Sequence, residues 1–352
     1  MIRLAWPDLG QEELAAIAEV LETGQLTMGP KVAEFEQALA AACEVDDAVV
    51  VSSGTAALHL AVLALGIGDG DEVIVPAYTF PATANVVALA GAKPVLVDVD
   101  PETMNVRPEA VAAAVSDRTR AVLVVHLFGR PARWEELEAA VPKGVALLED
   151  AAGALGARRA ERVCGGLGRL GCLSFHPRKI VTTGEGGAVT TDDSAVAASI
   201  RTMRHHGWSR EDMPAPGLNY RLSDVLCALG IPQLRRLEPL LVERERLAAA
   251  YSERLPEGIR VPSADEGDRH GWQAYVVQLD RRDHALNSLR EAGIEAQIGT
   301  YAVHHLGAYR DQGPFPGADE VYERALALPF HNRLTEDDID RVVDVLTPCV
   351  SE

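Results

Sequence analysis

The chain has 352 residues, of which 47% are hydrophobic and 24% charged, and its formal net charge is −19. This length suffices for one large α/β domain and a smaller one, with the apolar content of an ordinary globular protein. The negative charge argues against nucleic acid and anionic membranes as partners, because both require a basic surface. The start of the chain shows no signal-peptide pattern and no apolar run is long enough for a bilayer, so we expect a soluble, cytoplasmic protein.

Strands and helices alternate through the first 150 residues, with apolar positions either at helical spacing or in short β-branched runs. The predicted helices span residues 11–22, 32–43, 55–65, 82–90, 108–115 and 132–140, and the predicted strands span residues 47–51, 72–75, 94–97, 121–125 and 145–148. Alternation at this spacing predicts right-handed crossovers and a mostly parallel sheet.

The pattern changes beyond residue 150. The elements predicted there are strands 172–175 and 187–190 around a Gly-rich loop, helices 195–205, 223–231, 240–254, 282–292 and 336–346, and an apolar segment at 272–279. Pro232 is expected to stop or kink the helix before it. The helix over 240–254 is expected to bridge into a second domain, which predicts a large domain, 1–240, and a small one, 241–352. No element is assigned to the loop-rich stretch 300–317.

Residues 52–56 read Ser-Ser-Gly-Thr-Ala at a strand-to-helix junction. Backbone N–H groups at a helix start, helped by the helix dipole, can hold a phosphate. Gly54 allows a close approach of the backbone, and Thr55 can donate its hydroxyl. An ordinary helix N-cap has the same composition, so this segment alone leaves both interpretations open. The glycine fingerprints of dinucleotide and P-loop sites are absent, which disfavours both.

Two ionisable residues complete a possible site. Asp150 follows a hydrophobic strand, at the sheet edge where open α/β folds bind ligands. A carboxylate there suits a ligand nitrogen that must stay protonated. The alternative is an Asp that caps the next turn. Lys179 lies among small, hydroxyl-bearing and apolar residues, whereas lysines usually occupy charged surfaces. It is the predicted reactive amine, able to form a Schiff base, although a surface lysine beside a Gly-rich turn remains open. A phosphate cradle, a carboxylate and an amine are the set that pyridoxal 5′-phosphate (PLP) requires.

With these residues in view, the sequence resembles the DegT/DnrJ/EryC1/StrS family of PLP-dependent sugar aminotransferases over nearly its whole length. The matching segments are residues 23–29, 75–80, 149–152, 179–187, 217–221, 301–309 and 328–331. The resemblance implies an α/β protein of PLP fold type I, which is aspartate aminotransferase-like. Such a fold has a large domain with a mixed, mostly parallel sheet and a small α+β domain.

The resemblance implies roles for the matching residues. Gly54, Thr55 and Ser174 hold the phosphate, and Asn219 reaches it from the neighbouring subunit, which implies a homodimer with shared active sites. The roles at the cofactor ring fall to Phe80, which stacks on it, Asp150, which pairs with the ring nitrogen, and Lys179, which forms the Schiff base and moves the proton.

Three further residues are candidate substrate contacts. Glu185 belongs to the segment around Lys179, and His305 falls where the family has a histidine near the substrate. Arg221 can bind a carboxylate or phosphate through two nitrogens, and a surface salt bridge is the alternative. No metal site is expected, because neighbouring histidines rarely chelate one ion and the five cysteines lack Cys-x-x-Cys spacing.

The sequence also departs from the family pattern at four positions. Gly153 and Leu155 stand where glutamine and histidine are common, and that glutamine usually contacts the cofactor's ring hydroxyl. Gln25 replaces a common aromatic residue, and Ile180 replaces a common asparagine. These differences predict a distinct substrate subgroup and a missing or replaced contact to the ring hydroxyl.

The implied reaction is ping-pong transamination through pyridoxamine phosphate. The expected donor is L-glutamate and the expected acceptor is a keto group of a nucleotide-linked sugar, with a 4-keto-6-deoxy sugar as the favoured form. The alternatives are a glutamine-dependent aminotransferase of keto-cyclitols and a non-enzymatic regulator with the same fold. A sugar 3-dehydratase is disfavoured, because the resemblance implies histidine in place of the catalytic lysine in those enzymes.

Overall fold

The computed structural model describes residues 1–209 and 212–351, with the side chain of the last of these left aside. The helices are α1 Gln11–Thr23, α2 Pro30–Cys43, α3 Gly54–Ala64, α4 Ala82–Leu89, α5 Pro108–Ala114, α6 Trp134–Ala140, α7 Ser194–Met203, α8 Asp224–Arg235, α9 Leu237–Arg254, α10 Arg282–Glu291, α11 Pro316–Arg324 and α12 Glu336–Ser351. The strands are β1 Asp47–Val51, β2 Glu72–Pro76, β3 Tyr78–Thr79, β4 Lys93–Val97, β5 Thr119–Val125, β6 Ala146–Asp150, β7 Arg158–Arg159, β8 Arg162–Val163, β9 Leu170–Ser174, β10 Gly187–Thr191, β11 Tyr275–Gln278, β12 Gln297–Ile298, β13 Tyr301–Ala302 and β14 Ala325–Leu328.

A seven-stranded sheet in the order β1-β10-β9-β6-β5-β2-β4 forms the centre. The pairs from β9 to β4 are parallel, and β10 runs antiparallel to both of its neighbours. The prediction of a mixed, mostly parallel sheet is therefore confirmed. Every strand except β10 ends at the same edge, because β1 and β9 share their direction with the parallel strands. This edge gathers the chain segments that follow β1, β2, β5, β6 and β9.

The strands of the central sheet are formed by continuous apolar segments. All five residues of β2 and of β10 are buried, as is each residue of β5 except Arg120. Strands that are covered on both faces read as unbroken hydrophobic segments rather than as alternating ones. The five cysteines are buried and unpaired.

Pro232 does not end helix α8, and the prediction that the helix stops there is wrong. The helix continues to Arg235. Proline lacks the N–H that would bond the carbonyl of Ala228, so the helix loses one bond at this position, and the side chain of the next residue holds the turn through other carbonyls. Gln233 Nε2 donates to the carbonyl of Leu229 at 2.7 Å and to that of Thr182 at 2.8 Å. The proline-containing turn thereby also anchors the loop between β9 and β10.

A second core lies in the last third of the chain. Strands β11, β14 and β12 form an antiparallel sheet, and α9, α10 and α12 contribute apolar residues to the core beside it. Helix α9 contributes Leu240 and Leu241 to the first core and Leu247 and Tyr251 to the second, as a bridging helix would. The division at residues 240 and 241 stays a prediction, and Ile2 from the chain start packs in the second core.

The stretch 300–317, to which no element was assigned, contributes Val303, Tyr309 and Phe315 to the first core. Strand β13 pairs with β3, opposing Tyr301 to Thr79, and two 3-10 turns follow, Val303–His305 and Gly307–Tyr309. A strand of two residues has too few positions for a period-two pattern, so its sequence carries no strand signal. Within the described ranges, no helix is long and apolar enough to cross a membrane.

Candidate active site

A cavity of about 530 Å³ opens at the sheet edge where the strands end. Its volume falls within the usual range for small-molecule sites. Seven of the residues predicted from sequence line it, namely Gly54, Thr55, Phe80, Asp150, Ser174, Lys179 and Glu185. Residues of the C-terminal third, among them Gln273 and Thr300, close its far side.

The start of helix α3 forms one wall. Ser53 is the N-cap, and its Oγ accepts the N–H of Ala56 at 3.0 Å, so the capping interpretation holds for this residue. The first N–H groups of a helix have no partner inside the helix and can bind an anion. A Cβ on Gly54 would lie 2.8 Å from the Cβ of Ser174, so only glycine lets α3 and β9 meet this closely. The geometry fits a phosphate held between α3 and Ser174.

Asp150 is the last residue of β6 and is buried. Its Oδ2 accepts the hydroxyl of Thr83 at 2.8 Å, and its Oδ1 accepts the N–H of Ala152 at 3.2 Å. Burial raises the pKa of Asp150, while these donors and the nearby Lys179 act in the opposite direction. A buried carboxylate whose charge is incompletely compensated can bind a protonated nitrogen of a ligand.

Lys179 lies in the loop between β9 and β10. The loop is held by the N–H of Thr183 and the hydroxyl of Thr182, which both donate to the carbonyl of Phe175 at 2.9 and 2.8 Å. Across residues 1–209 and 212–351, the Nζ of Lys179 has no hydrogen-bond partner. Burial lowers the pKa of Lys179, with Asp150 opposing this effect. A lowered pKa raises the fraction of free amine, the form that attacks a carbonyl carbon.

A buried pair behind the cavity fixes the ends of β5 and β6. Glu149 Oε2 lies 3.0 Å from His126 Nε2, and neither side chain is exposed. The same carboxylate accepts the N–H groups of Gly165, Leu167 and Gly168 at 2.5 to 2.8 Å. His126 Nδ1 accepts the N–H of Ala132, which leaves the proton on Nε2 for Glu149.

We expect Glu149→Gln to lower the free energy of unfolding by about 3 kcal/mol, because one amide oxygen cannot replace a carboxylate that serves four donors. Urea denaturation followed by circular dichroism measures the change. Glu161→Gln, an exposed and equally conservative substitution, is the matched control and should stay within about 0.5 kcal/mol of the parent. Equal stability of the two variants would contradict the structural role given to Glu149.

Three of the predicted site residues do not line the cavity of their own chain. Asn219 is exposed, Arg221 Nη1 contacts His205 Nδ1 at 2.7 Å, and His305 Nε2 contacts Oδ1 of Asp319 at 2.7 Å. Asn219 nevertheless lies beside the helix α3 wall, because the carbonyl of the next residue, Tyr220, accepts the N–H of Ser52. The substrate roles of Arg221 and His305 and the phosphate role of Asn219 stay predictions.

Phe80 is 61% exposed although it lines the cavity, and its ring centroid lies 6.3 Å from that of Tyr301. An exposed aromatic face at a cavity wall is available to stack on a flat ligand. Glu185 is also exposed, at the mouth.

Sequence reasoning missed several lining residues. His126, Arg178 and Gln273 line the cavity, and Thr83 orients Asp150. For His126 a usable signal existed, since it directly follows the strand predicted at 121–125. Gln273 comes from a distant part of the chain and has no local pattern.

The comparisons with known proteins agree with one another. The model of the DegT/DnrJ/EryC1/StrS aminotransferase family matches residues 7–347. The spore coat polysaccharide biosynthesis protein SpsC of Bacillus subtilis is 36% identical over 98% of this chain and 96% of its own. The crystal structure of DesI, determined in the presence of its TDP-sugar product, aligns with a TM-score of 0.93 and 34% identity over 99% of this chain and 92% of DesI. The PLP form of Spr1654 from Streptococcus pneumoniae aligns with a TM-score of 0.94 and 26% identity, over 98% and 97% of the two chains.

Proposed function

The chain belongs to the DegT/DnrJ/EryC1/StrS aminotransferase family, and we propose that it transfers an amino group from L-glutamate to a keto group of a nucleotide-linked sugar. It has PLP fold type I and uses pyridoxal 5′-phosphate as its cofactor. The observation that carries the proposal is the shared cavity of Lys179, Asp150 and the start of α3.

The residues around this cavity fit PLP. The N–H groups at the start of α3, with the hydroxyls of Thr55 and Ser174, hold the phosphate. The negative charge of Asp150 keeps the ring nitrogen protonated. The protonated nitrogen in turn stabilises the buried carboxylate of Asp150. The exposed face of Phe80 covers the ring. When bound, PLP supplies an electron sink for the bond that breaks at the α-carbon of the donor.

Lys179 performs the proton transfer. Its Nζ is without a hydrogen-bond partner in the described part of the chain, and burial lowers its pKa, so the free amine is available as a general base. It removes the proton from the donor's α-carbon and returns it to the carbon that carried the aldehyde. The second half of the ping-pong cycle runs the same proton transfer in reverse with the keto acceptor.

A second groove beside the cavity suits an acceptor that carries an anionic group. It adjoins the cavity, because His176, Arg178 and Gln297 line both, and it adds Arg290 on its outer side. Two arginines near an open groove suit the diphosphate of a nucleotide. DesI was determined with a TDP-sugar product, which is consistent with this class of acceptor. The family resemblance alone supports a 4-keto-6-deoxy sugar as the acceptor's sugar part.

The direct test is the visible spectrum of the PLP-loaded protein during a single half-reaction. L-glutamate is expected to bleach the visible band and to release one 2-oxoglutarate per site, and a nucleotide-linked 4-keto sugar is expected to restore the band. Bleaching by L-glutamine alone, with recovery on a keto-cyclitol, would replace this proposal by the cyclitol alternative. A band that no amino donor changes would overturn the proposed amino transfer.

We also propose that the active protein is a homodimer in which Asn219 of the partner subunit contacts the phosphate. Asn219 is exposed and does not line the cavity of its own chain, so its side chain is free to reach the site of another. Apolar side chains in and near the segment that carries Asn219 are unusually exposed, with Trp208 at 52%, Met213 at 50% and Met28 at 46%. Exposed apolar residues that lie close together are typical of a surface that another chain covers.

Subunit mixing tests the shared site. Asn219→Ala is expected to weaken PLP binding about tenfold, since it removes one hydrogen bond to a charged oxygen. Mixing this variant with Lys179→Ala and allowing subunits to exchange should recover about a quarter of the parent activity at limiting PLP, because half of the dimers then hold one intact site. No recovery after proven exchange would place Asn219 in its own subunit's site or outside both.

A further inference from the structure

Two glycines, Gly129 and Gly271, let distant segments meet at the edge of the cavity. A Cβ on Gly129 would lie 2.8 Å from the backbone nitrogen of Trp272 and 3.0 Å from the carbonyl oxygen of Gly153. A Cβ on Gly271 would lie 3.2 Å from that of Ala157. The backbones of the segments after β5 and β6 therefore pack directly against the segment that precedes β11.

This contact fixes the backbone of Gln273. Its N–H donates to the carbonyl of Phe128 at 3.0 Å, and its own carbonyl accepts Arg244 Nη1 at 3.2 Å. The residues on either side of the contact, Phe128 and Trp272, have φ of 57° and 45°, a left-handed conformation that costs energy for residues other than glycine. Strain of this kind is typically held where a side chain must be placed at a site.

The side chain of Gln273 fills the space above Gly153. A Cβ on Gly153 would lie 3.4 Å from Gln273 Oε1 and 3.5 Å from its Cγ. Gln273 Nε2 donates one of its two hydrogens to the carbonyl of Arg178 at 3.3 Å. The amide thus lies between the Lys179 loop and the turn that follows Asp150, and it has a second N–H to donate into the cavity.

We infer that Gln273 donates a hydrogen bond to the ring hydroxyl of PLP. The inference rests on PLP as the cofactor and on the roles proposed for Lys179 and Asp150. One edge of the PLP ring runs from its nitrogen to the carbon that joins the lysine, on the side without the phosphate arm, and this edge carries the hydroxyl. With the nitrogen at Asp150 and the lysine at residue 179, that edge faces the amide between them. Gly153, where the family often has glutamine, leaves this space to Gln273.

The proposed contact has a spectroscopic consequence. An N–H donated to the ring oxygen stabilises its negative charge, so the oxygen holds the proton of the neighbouring Lys179 nitrogen less firmly. The contact therefore lowers the pKa at which the visible band of the PLP-loaded protein changes, and its loss raises that pKa. The loss of one such bond corresponds to about one pH unit and about a tenfold change in affinity.

The experiment titrates the visible band with pH and measures PLP dissociation by equilibrium dialysis. Gln273→Ala is expected to raise the midpoint by about one pH unit and to weaken PLP binding about tenfold. The double variant Gly153→Gln, Gln273→Ala is expected to recover both values. Gly153 does not have a left-handed φ, and the alanine leaves room for the new amide.

Gln297→Ala is the matched control, because its Oε1 accepts Arg178 Nη1 at 2.9 Å and it lines the same cavity. Its midpoint should stay that of the parent. If Gln297→Ala shifted the midpoint as far as Gln273→Ala does, the effect on the midpoint would run through Arg178. If Gln273→Ala left the midpoint unchanged, the contact would be excluded. Either result overturns the inference. A parent protein whose band titrates as described but which transfers no amino group would overturn the proposed function and leave this contact standing.

Discussion

Replacing Lys179 with alanine is expected to lower the turnover number by about 10⁴-fold, since proton transfer by one positioned group contributes up to this factor. The fold should persist, because the lysine Nζ bonds to none of the residues that the structure describes. Steady-state assays with L-glutamate and the best keto acceptor measure the loss. The visible band of the variant should also shift, as PLP then lacks its covalent link to the protein.

Lys143→Ala is the control for this experiment. Lys143 is exposed in the turn before β6 and is expected to be without effect on turnover and on the spectrum. Methylamine added to the alanine variant should restore part of the proton transfer, which an indirect structural effect would not permit. Turnover within tenfold of the parent would exclude Lys179 as the catalytic base.

The second large effect is expected for Asp150→Asn, which should lower the turnover number by about 10³-fold. The amide keeps the size of the side chain, and its single oxygen can accept either the hydroxyl of Thr83 or the N–H of Ala152, but it cannot hold the ring nitrogen in its protonated form. Because burial raises the pKa of Asp150, the carboxylate destabilises the cofactor-free protein. The asparagine variant should therefore unfold at the same temperature as the parent or above it when PLP is absent.

Thr83→Val separates the charge of Asp150 from its orientation. The valine removes the 2.8 Å hydrogen bond and leaves the carboxylate in place. We expect a loss in turnover of about tenfold, well below that of the asparagine variant. If both variants lost the same activity, the role of Asp150 would lie in its orientation and not in its charge.

The fold was predictable because its signals are local. Unbroken apolar runs marked the strands, and Asp150 was found because it directly follows one of them. Lys179 stood out because small, hydroxyl-bearing and apolar residues surround it and it does not lie in a run of charges. Each of these inferences required only a few adjacent residues, and the order of the parallel strands then brought the residues to one edge.

The features that escaped prediction depend on contacts between distant segments. Pro232 lies inside helix α8, where the side chain of Gln233 links the turn to the carbonyls of Leu229 and Thr182. Strand β13 exists only through its pairing with β3. Gln273 reaches the cavity because Gly129 and Gly271 let distant segments pack together, which no single window of sequence reveals. Arg221, predicted as a substrate contact, contacts His205 within its own chain, and its substrate role stays a prediction.

The pairing of the chain start with the C-terminal part bears on how the protein is made. The N–H of Ile2 bonds the carbonyl of Gly293, and the N–H of Leu4 bonds the side chain of Glu295, 291 positions further along. During synthesis the first residues therefore emerge long before their partners and must remain unpaired while the central sheet assembles. Because Ile2 packs in the same core as residues of α12, this core is complete only after both segments have been synthesised.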